Sequence, residues 1–267
     1  MHSKIMNLKR ILKSIKSVVV AYSGGLDSTY LLKEAVDTLG KDNVLAVIAR
    51  SETYPYSEYK DAVKGAKSMG AKCRVISTNE LDIKNFKMNP VNRCYYCKKE
   101  LFRSLDDIRK KLSFGAVLDG TNYDDLKDVR YGRKAAKELG VRSPLLEAEI
   151  GKDIIRKASK DLGLATWNKP SAACLASRIP FHSEITTAKL NKIDKAEALL
   201  RKMGLGQVRV RMHGDIARIE LSQDDMQLFL KKNTRDKAVR GLKKLGFAYV
   251  ALDLEGYRTG SMHESSN

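Results

Sequence analysis

The sequence predicts a doubly wound α/β domain with a parallel sheet, residues 1–170, followed by a smaller α+β domain, residues 171–267. Apolar runs with β-branched residues recur at Val18–Tyr22, Val44–Ala49, Arg74–Ser77 and Ala116–Asp119. Between the first three lie segments of helical period, Ser28–Leu39 and Tyr56–Met69, each closed by a glycine, Gly40 and Gly70. Strand and helix in alternation build a parallel sheet with right-handed crossovers. After Trp167 that alternation stops, which sets the domain boundary near residues 170–180.

Each element follows from its own pattern. Met1–Ser17 sets lysines and an arginine among Ile and Leu, without the long apolar block of a signal peptide, and reads as a first amphipathic helix. Further helices fit Lys98–Leu112, Asp125–Leu139 and Lys152–Leu162, with Gly140 and Gly163 as stops. Asn168-Lys169-Pro170-Ser171 is a turn, and a loop runs on through Ile179-Pro180-Phe181. The next helix carries Leu190, Ile193, Ala196, Leu199 and Met203 on one side and ends near Gly204. A hairpin, Gln207–Met212 and Asp215–Ser222, turns at His213-Gly214. Helix covers Asp224–Leu245 in one or two pieces, a last strand spans Phe247–Leu252, and the tail from Glu255 frays.

Composition excludes several classes. With 267 residues, 43% of them hydrophobic, the chain has apolar material for a core and is too balanced to be disordered. No stretch approaches the ~20 apolar residues that span a bilayer, so a membrane protein is not expected. Four cysteines are too few for a disulfide scaffold, which points to the reducing cytosol. Lys+Arg 50 against Asp+Glu 32 leaves +18, but the lysines are spread over nearly every helix. A nucleotide-sized anionic substrate accounts for the excess as well as nucleic acid does.

The strongest motif follows the first strand. Ser23-Gly24-Gly25-Leu26-Asp27-Ser28 is a glycine turn leading into a helix, where backbone N–H groups can approach an anion and the helix N-terminus adds partial positive charge. Ser23 and Ser28 can donate to the same oxygens. Asp27 would repel bare phosphate, so a divalent cation, Mg²⁺, is expected between it and the nucleotide. No Walker lysine is present, which argues against γ-phosphate chemistry. An ordinary helix cap explains the glycines and Ser23 but not the whole hexapeptide in this place. The motif resembles the PP-loop of ATP pyrophosphatases, which cut ATP between its α- and β-phosphates and adenylate a substrate oxygen. The resemblance sets Asp119-Gly120-Thr121-Asn122 at the same nucleotide, with Gly120 and Asn122 joining the ATP-binding residues.

Three cysteines stand in special settings. Cys94 and Cys97 form a C-x-x-C just before the helix expected from Lys98, and Cys174 lies in the loop after the boundary. Cys73, in a strand, reads as a small core residue. A C-x-x-C alone serves as a redox dithiol or as half a zinc site, and no second pair completes a Cys₄ zinc ribbon. Three thiolates without a fourth ligand suit a [4Fe-4S] cluster with one open iron, and zinc remains an alternative.

The hairpin has a period of two. Val208, Val210 and Met212 share one face with Ala217, Ile219 and Leu221; Arg209, Arg211, Arg218 and Glu220 share the other. Three arginines on one face repel unless an anion or carboxylate sits among them. Such a face is either a solvated surface or a phosphate clamp.

Asp119-Gly-Thr-Asn122, Asp125, Asp128-Val-Arg130, Gly132, Arg142-Ser-Pro144, Lys169-Pro-Ser, Cys174-Leu-Ala-Ser177-Arg178 and Arg209–Glu220 together resemble the LarE family over nearly the whole chain. Its members are ATP-dependent sulfur transferases of nickel-pincer nucleotide biosynthesis. The resemblance implies adenylation of the carboxylates of pyridinium-3,5-biscarboxylic acid mononucleotide and their conversion to thiocarboxylates. In one branch a cysteine at the position of Cys174 is sacrificed as sulfur donor; in another, cysteines matching Cys94, Cys97 and Cys174 hold a [4Fe-4S] cluster supplied with sulfide. The resemblance favours the phosphate clamp, adds Ser177 and Arg178 to Arg209 and Arg211, makes Glu197 and Glu220 candidate divalent-ion ligands, and implies a homo-oligomer. A PP-loop tRNA thiolase is the rival, although the chain shows no appended RNA-binding module.

Overall fold

A computed structural model describes residues 1–127, 131–170 and 173–258 of the chain. Its packing forms two units, Met1–Glu80 with Asn92–Ala172, and Leu81–Val91 with Ala173–Asn267.

The first unit is built on β1 (Val18–Ala21), β2 (Val44–Arg50), β3 (Lys72–Ser77) and β4 (Ala116–Leu118), all parallel, in the order β3-β2-β1-β4. Val18, Val20, Ala46 and Ile48 bury one sheet face against α1 (His2–Ile15), α2 (Leu26–Leu39), α3 (Tyr56–Ser68) and α8 (Lys152–Asp161). Val19, Leu45, Val47 and Val117 bury the other against Phe102 and Leu105 of α5 (Arg93–Lys111) and Ala135 and Ala136 of α6 (Tyr131–Glu138). Strands covered on both faces need unbroken apolar runs, which is why β1 and β2 read as such. The arrangement is the doubly wound α/β fold the sequence predicts. Its order reverses at β1, with β2 on one side and β4 on the other, and ligands of such sheets bind beyond the strand ends at that point.

Two local expectations change. The helix expected from Lys98 begins at Arg93, so Cys94 and Cys97 lie within its first two turns instead of ahead of it. The helix expected over 125–139 is a 3₁₀ turn, Tyr123–Lys127, and then α6; Asp128 and Arg130 lie outside the described residues. A short α7 (Pro144–Glu147) starts on a proline, whose fixed φ suits a first helical turn.

The second unit has a sheet in the order β5-β6-β7, from β5 (Val208–His213), β6 (Ile216–Leu221) and β7 (Tyr249–Leu252). The β5–β6 pair is antiparallel and faces Arg209 with Glu220 and Arg211 with Arg218; β7 runs parallel to β6. Val208, Val210, Ala217, Ile219 and Leu221 pack on Leu200 of α9 (Thr187–Lys202), Phe229 of α10 (Gln223–Leu230) and Leu242 of α11 (Lys232–Lys244). Leu81–Val91, with the short α4 (Lys84–Lys87), is stitched to this unit. Asn89 is fully buried and donates its side-chain amide to the carbonyls of Ile179 (3.2 Å) and Pro180 (2.7 Å), while its backbone carbonyl accepts from the His182 N–H. Among the described residues no helix is long and apolar enough to cross a membrane.

Candidate functional site

In the first unit, β1 ends at Ala21 and the chain turns through Ser23-Gly24-Gly25 into α2. Gly24 has φ +62°, and a Cβ there would stand 2.7 Å from the Ala62 Cβ of α3, so conformation and space both demand glycine. Gly25 is the extended N-cap of α2, its carbonyl accepting from the Thr29 N–H. The Ser28 hydroxyl lies 3.3 Å from the Ser23 N–H, which donates to it, and 3.1 Å from the Ser23 hydroxyl. Leu26, Asp27 and Ser28 thus make up a first helical turn whose N–H groups have no partner within the helix. Partial positive charge and two hydroxyls converge there, with the Asp27 carboxylate beside them.

The loop after β4 is pressed against this turn. A Cβ on Gly120 would come 3.0 Å from the Ser28 nitrogen and 3.2 Å from its Cα, tighter than side chains ordinarily pack, so glycine suits the approach. Asp119 holds the bend, its carboxylate accepting from Thr121 Oγ1 (2.8 Å) and Ser143 Oγ (2.6 Å). Asn122 is fully buried and accepts from the Asp124 N–H, and its Nδ2 meets no acceptor among the described residues. A buried amide donor two residues from Gly120, beside a helix N-terminus with a carboxylate, fits a nucleotide and its Mg²⁺.

Residues outside the motif also serve the loop. The Tyr54 hydroxyl donates to the Ser23 carbonyl, and burial, followed by the Glu58 carboxylate, pushes that phenol up. Lys169 donates to the Gly24 carbonyl at 3.2 Å and pairs with Glu58 of α3 at 2.7 Å. Of the three the sequence singles out only Lys169, within Lys169-Pro-Ser, and nothing in its spacing assigns it to the loop.

Cys94 and Cys97, three residues apart, share one face of α5; Cys94 is exposed and Cys97 half-buried. The Cys97 thiol donates to Glu80 Oε1 at 3.8 Å. Burial pushes the Glu80 carboxyl up, and Thr78 Oγ1 donates to the same oxygen at 2.9 Å. Cys73 is half-buried on β3, its thiol raised by burial. Two thiols one turn apart match two ligands of a metal centre, but no group of three or more His, Cys, Asp or Glu side chains is assembled as one among the described residues.

In the second unit Cys174 is exposed and opens a 3₁₀ turn, Leu175–Arg178. Arg178, 1% exposed, spends its guanidinium on protein acceptors. Nη1 donates to the carbonyls of Ala173 (2.8 Å) and Cys174 (3.0 Å) and to Ser177 Oγ (2.9 Å), while Nε and Nη2 grip Glu197. Arg211 donates to the Ser177 carbonyl (2.9 Å) and to Glu220 (2.7 Å), which also pairs with Arg218. Arg209 is 5% exposed, and its guanidinium lies 5.1 Å from the Tyr257 ring centre.

The arginine face is therefore not a solvated surface; carboxylates sit among the arginines. Glu197 accepts from Arg178, Arg201 and the Val210 N–H, so in this geometry it and Glu220 serve guanidinium groups where divalent-ion binding was expected. Burial alone would raise the Glu197 carboxyl; Arg178, Arg201 and Arg209 outweigh it and hold it below the ordinary range. Burial, then Arg178, lowers the Arg209 guanidinium. His213 is pushed down by burial, then by Arg218 and Arg211.

A Ser-Gly-Gly-x-Asp-Ser turn at the switch point of a parallel sheet defines the chain as an ATP-using enzyme of the PP-loop class. A family model described as NAD synthase matches residues 5–94. The chain is 42% identical over 263 residues to an uncharacterized protein of Synechocystis sp., covering 98% of both. It is 41% identical over 263 residues to the pyridinium-3,5-bisthiocarboxylic acid mononucleotide synthase of Lactiplantibacillus plantarum, covering 98% of this chain and 95% of that one. It is 34% identical over 256 residues to an uncharacterized protein of Methanocaldococcus jannaschii, covering 95% of each. The chain belongs to the LarE family of sulfur transferases.

Proposed function

We propose that the chain adenylates the carboxylates of pyridinium-3,5-biscarboxylic acid mononucleotide and converts them to thiocarboxylates for nickel-pincer cofactor synthesis. The observation that carries this is the contact of Gly120 with Ser28, which backs the β4 loop against the PP-loop, in a chain similar end to end to a synthase of the bisthiocarboxylic mononucleotide.

A substrate carboxylate oxygen attacks the α-phosphorus of ATP, the bond to the β-phosphate bridge breaks, and pyrophosphate leaves. Ser23, Gly24, Gly25, Leu26 and Ser28 receive the phosphates through N–H and hydroxyl donors; Asp27 would hold Mg²⁺, which neutralises phosphate charge. The acyl adenylate so formed loses AMP when a sulfur nucleophile attacks its carbonyl carbon, a substitution the free carboxylate does not undergo because its oxygen is too poor a leaving group. Arg209 and Arg211 bind the substrate monophosphate, and Arg178 shapes the loop that presents Ser177 and Cys174. Cys94, Cys97 and Cys174 would hold a [4Fe-4S] cluster, which supplies an iron position for sulfide. The alternative is Cys174 as a sacrificed donor.

Pyrophosphate release from ATP that depends on the pyridinium biscarboxylate tests the first half, and its absence overturns the assignment. Iron and sulfide analysis after anaerobic purification tests the cluster; colourless protein with stoichiometric zinc defeats it. The mass of the chain after turnover separates the sulfur routes, since loss of H₂S from one cysteine marks sacrifice and an unchanged mass marks relay.

A further inference from the structure

We infer that Tyr54 and the Glu58–Lys169 pair are positioning residues that set the peptide planes of the PP-loop for phosphate, acting on its carbonyls and not on the ligand. The inference deepens the nucleotide reading above and rests on it.

A trans peptide directs its C=O and its N–H to opposite sides. The Ser23 carbonyl belongs to the same peptide as the Gly24 N–H, and the Gly24 carbonyl to the same peptide as the Gly25 N–H. Tyr54 takes the first carbonyl and Lys169 takes the second at 3.2 Å. With both carbonyls tied back, the N–H groups of Gly24 and Gly25 face the other way, alongside the donors of the first turn of α2. Glycine makes such a loop possible but also leaves it free to rotate these peptides, because residues without Cβ populate both signs of φ. Something outside the motif must choose, and the choice matters: a carbonyl turned inward would meet phosphate oxygens with like partial charge.

α3 organises both ends of the device. Ala62 lies against Gly24, and Glu58, one turn earlier on α3, holds the Lys169 ammonium at 2.7 Å. Glu58 and Lys169 are both largely covered, at 21% and 18% side-chain exposure, so the ammonium is aimed and not swinging in water. A lysine paired this way contributes a donor to the loop while its charge is largely balanced by its partner.

The test uses the full chain and three ligands measured by calorimetry: ATP, inorganic pyrophosphate and AMP. Tyr54→Phe and Lys169→Met should each weaken ATP and pyrophosphate about five- to tenfold, the size of one lost hydrogen bond, with AMP binding unchanged. Lys169→Arg, which keeps a donor for the Gly24 carbonyl, should restore most of the loss. Thermal midpoints near that of the parent chain show that the variants fold. Wild-type affinity in Tyr54→Phe overturns the inference. So does a large loss confined to Lys169→Met that arginine does not repair, which would make Lys169 a direct phosphate ligand. Equal weakening of AMP overturns it as well, as general loop damage. A parent chain that binds neither ATP nor pyrophosphate instead overturns the nucleotide reading itself.

Discussion

The PP-loop of the first unit and the β5–β6 hairpin of the second both face anions in the proposed reaction, yet they are built from opposite materials. From Ser23 to Ser28 the loop carries a single ionisable side chain, Asp27, and offers backbone N–H groups and two hydroxyls. The hairpin region buries Arg178, Arg209, Arg211, Glu197 and Glu220, all at 5% exposure or less. Backbone dipoles need no counter-charge when solvent is removed, whereas a buried guanidinium does. The second unit meets that need from its own chain. Arg178 and Arg201 share Glu197, Arg211 and Arg218 share Glu220, and Arg218 and Arg258 share Asp253. Among the described residues those five arginines share three carboxylates, with Glu255 a fourth on Arg258, and in the proposed reaction a substrate monophosphate would add its negative charge to theirs. Recognition by peptide groups and recognition by side-chain charge thus differ in where the balancing charge comes from.

The comparison can be broken first at the loop. Asp27→Ala should abolish pyrophosphate release while the circular dichroism spectrum stays that of the parent. Gly24→Ala should do nearly as much, because a Cβ 2.7 Å from that of Ala62, at φ +62°, must displace the turn; ATP binding by calorimetry checks it. The next effect falls on stability. Glu197→Ala strands Arg178 and Arg201 and should cost about 3–5 kcal/mol, read from denaturant unfolding. The Glu197 carboxyl lies below its usual 4.5 in the folded chain, so its contribution is complete above that pH and drains away as pH falls through the folded value. Unfolding midpoints measured from pH 7 to pH 3 should therefore fall less steeply in Glu197→Ala than in the parent.

A smaller effect sharpens the hairpin's role. Arg209→Ala and Arg211→Ala should raise the substrate concentration needed for half-maximal pyrophosphate release about tenfold or more; unchanged kinetics in both would reduce the hairpin to a scaffold. The smallest effect is a control on solvation. Lys87 and Glu184 form an ion pair of 3.0 Å in the same unit, but both stand in water, so Glu184→Ala should leave the unfolding midpoint where it was.

Much of this was legible in the sequence because it is local. The parallel strands, the glycine stops and the Ser-Gly-Gly-x-Asp-Ser turn depend on residues next to one another. The start of α5 escaped because apolar periodicity appears only at Leu101, Phe102 and Leu105; before them stand Arg93, two tyrosines and two lysines, with Asn92 as a cap that makes no side-chain bond. The period of two sorted the hairpin's arginines onto one face but carries no information about what covers that face. Glu197 arrives from α9 and Arg178 from a loop, so burial and pairing become visible only when the unit is assembled. The contacts of Tyr54 and Lys169 with the PP-loop are hidden for the same reason, since the two lie 31 and 145 residues from the carbonyls they hold.

The placement of Leu81–Val91 bears on how this protein can be handled. Because that stretch packs with residues beyond 172 and yet interrupts the first unit, the polypeptide passes from one unit to the other three times. A single proteolytic nick or stop codon near the boundary cannot release either half intact; a fragment starting at Ala173 leaves behind Asn89, the residue that ties down the Ile179 and Pro180 carbonyls. Isolating the second half for spectroscopy calls for grafting those eleven residues onto it, by fusion or as an added peptide.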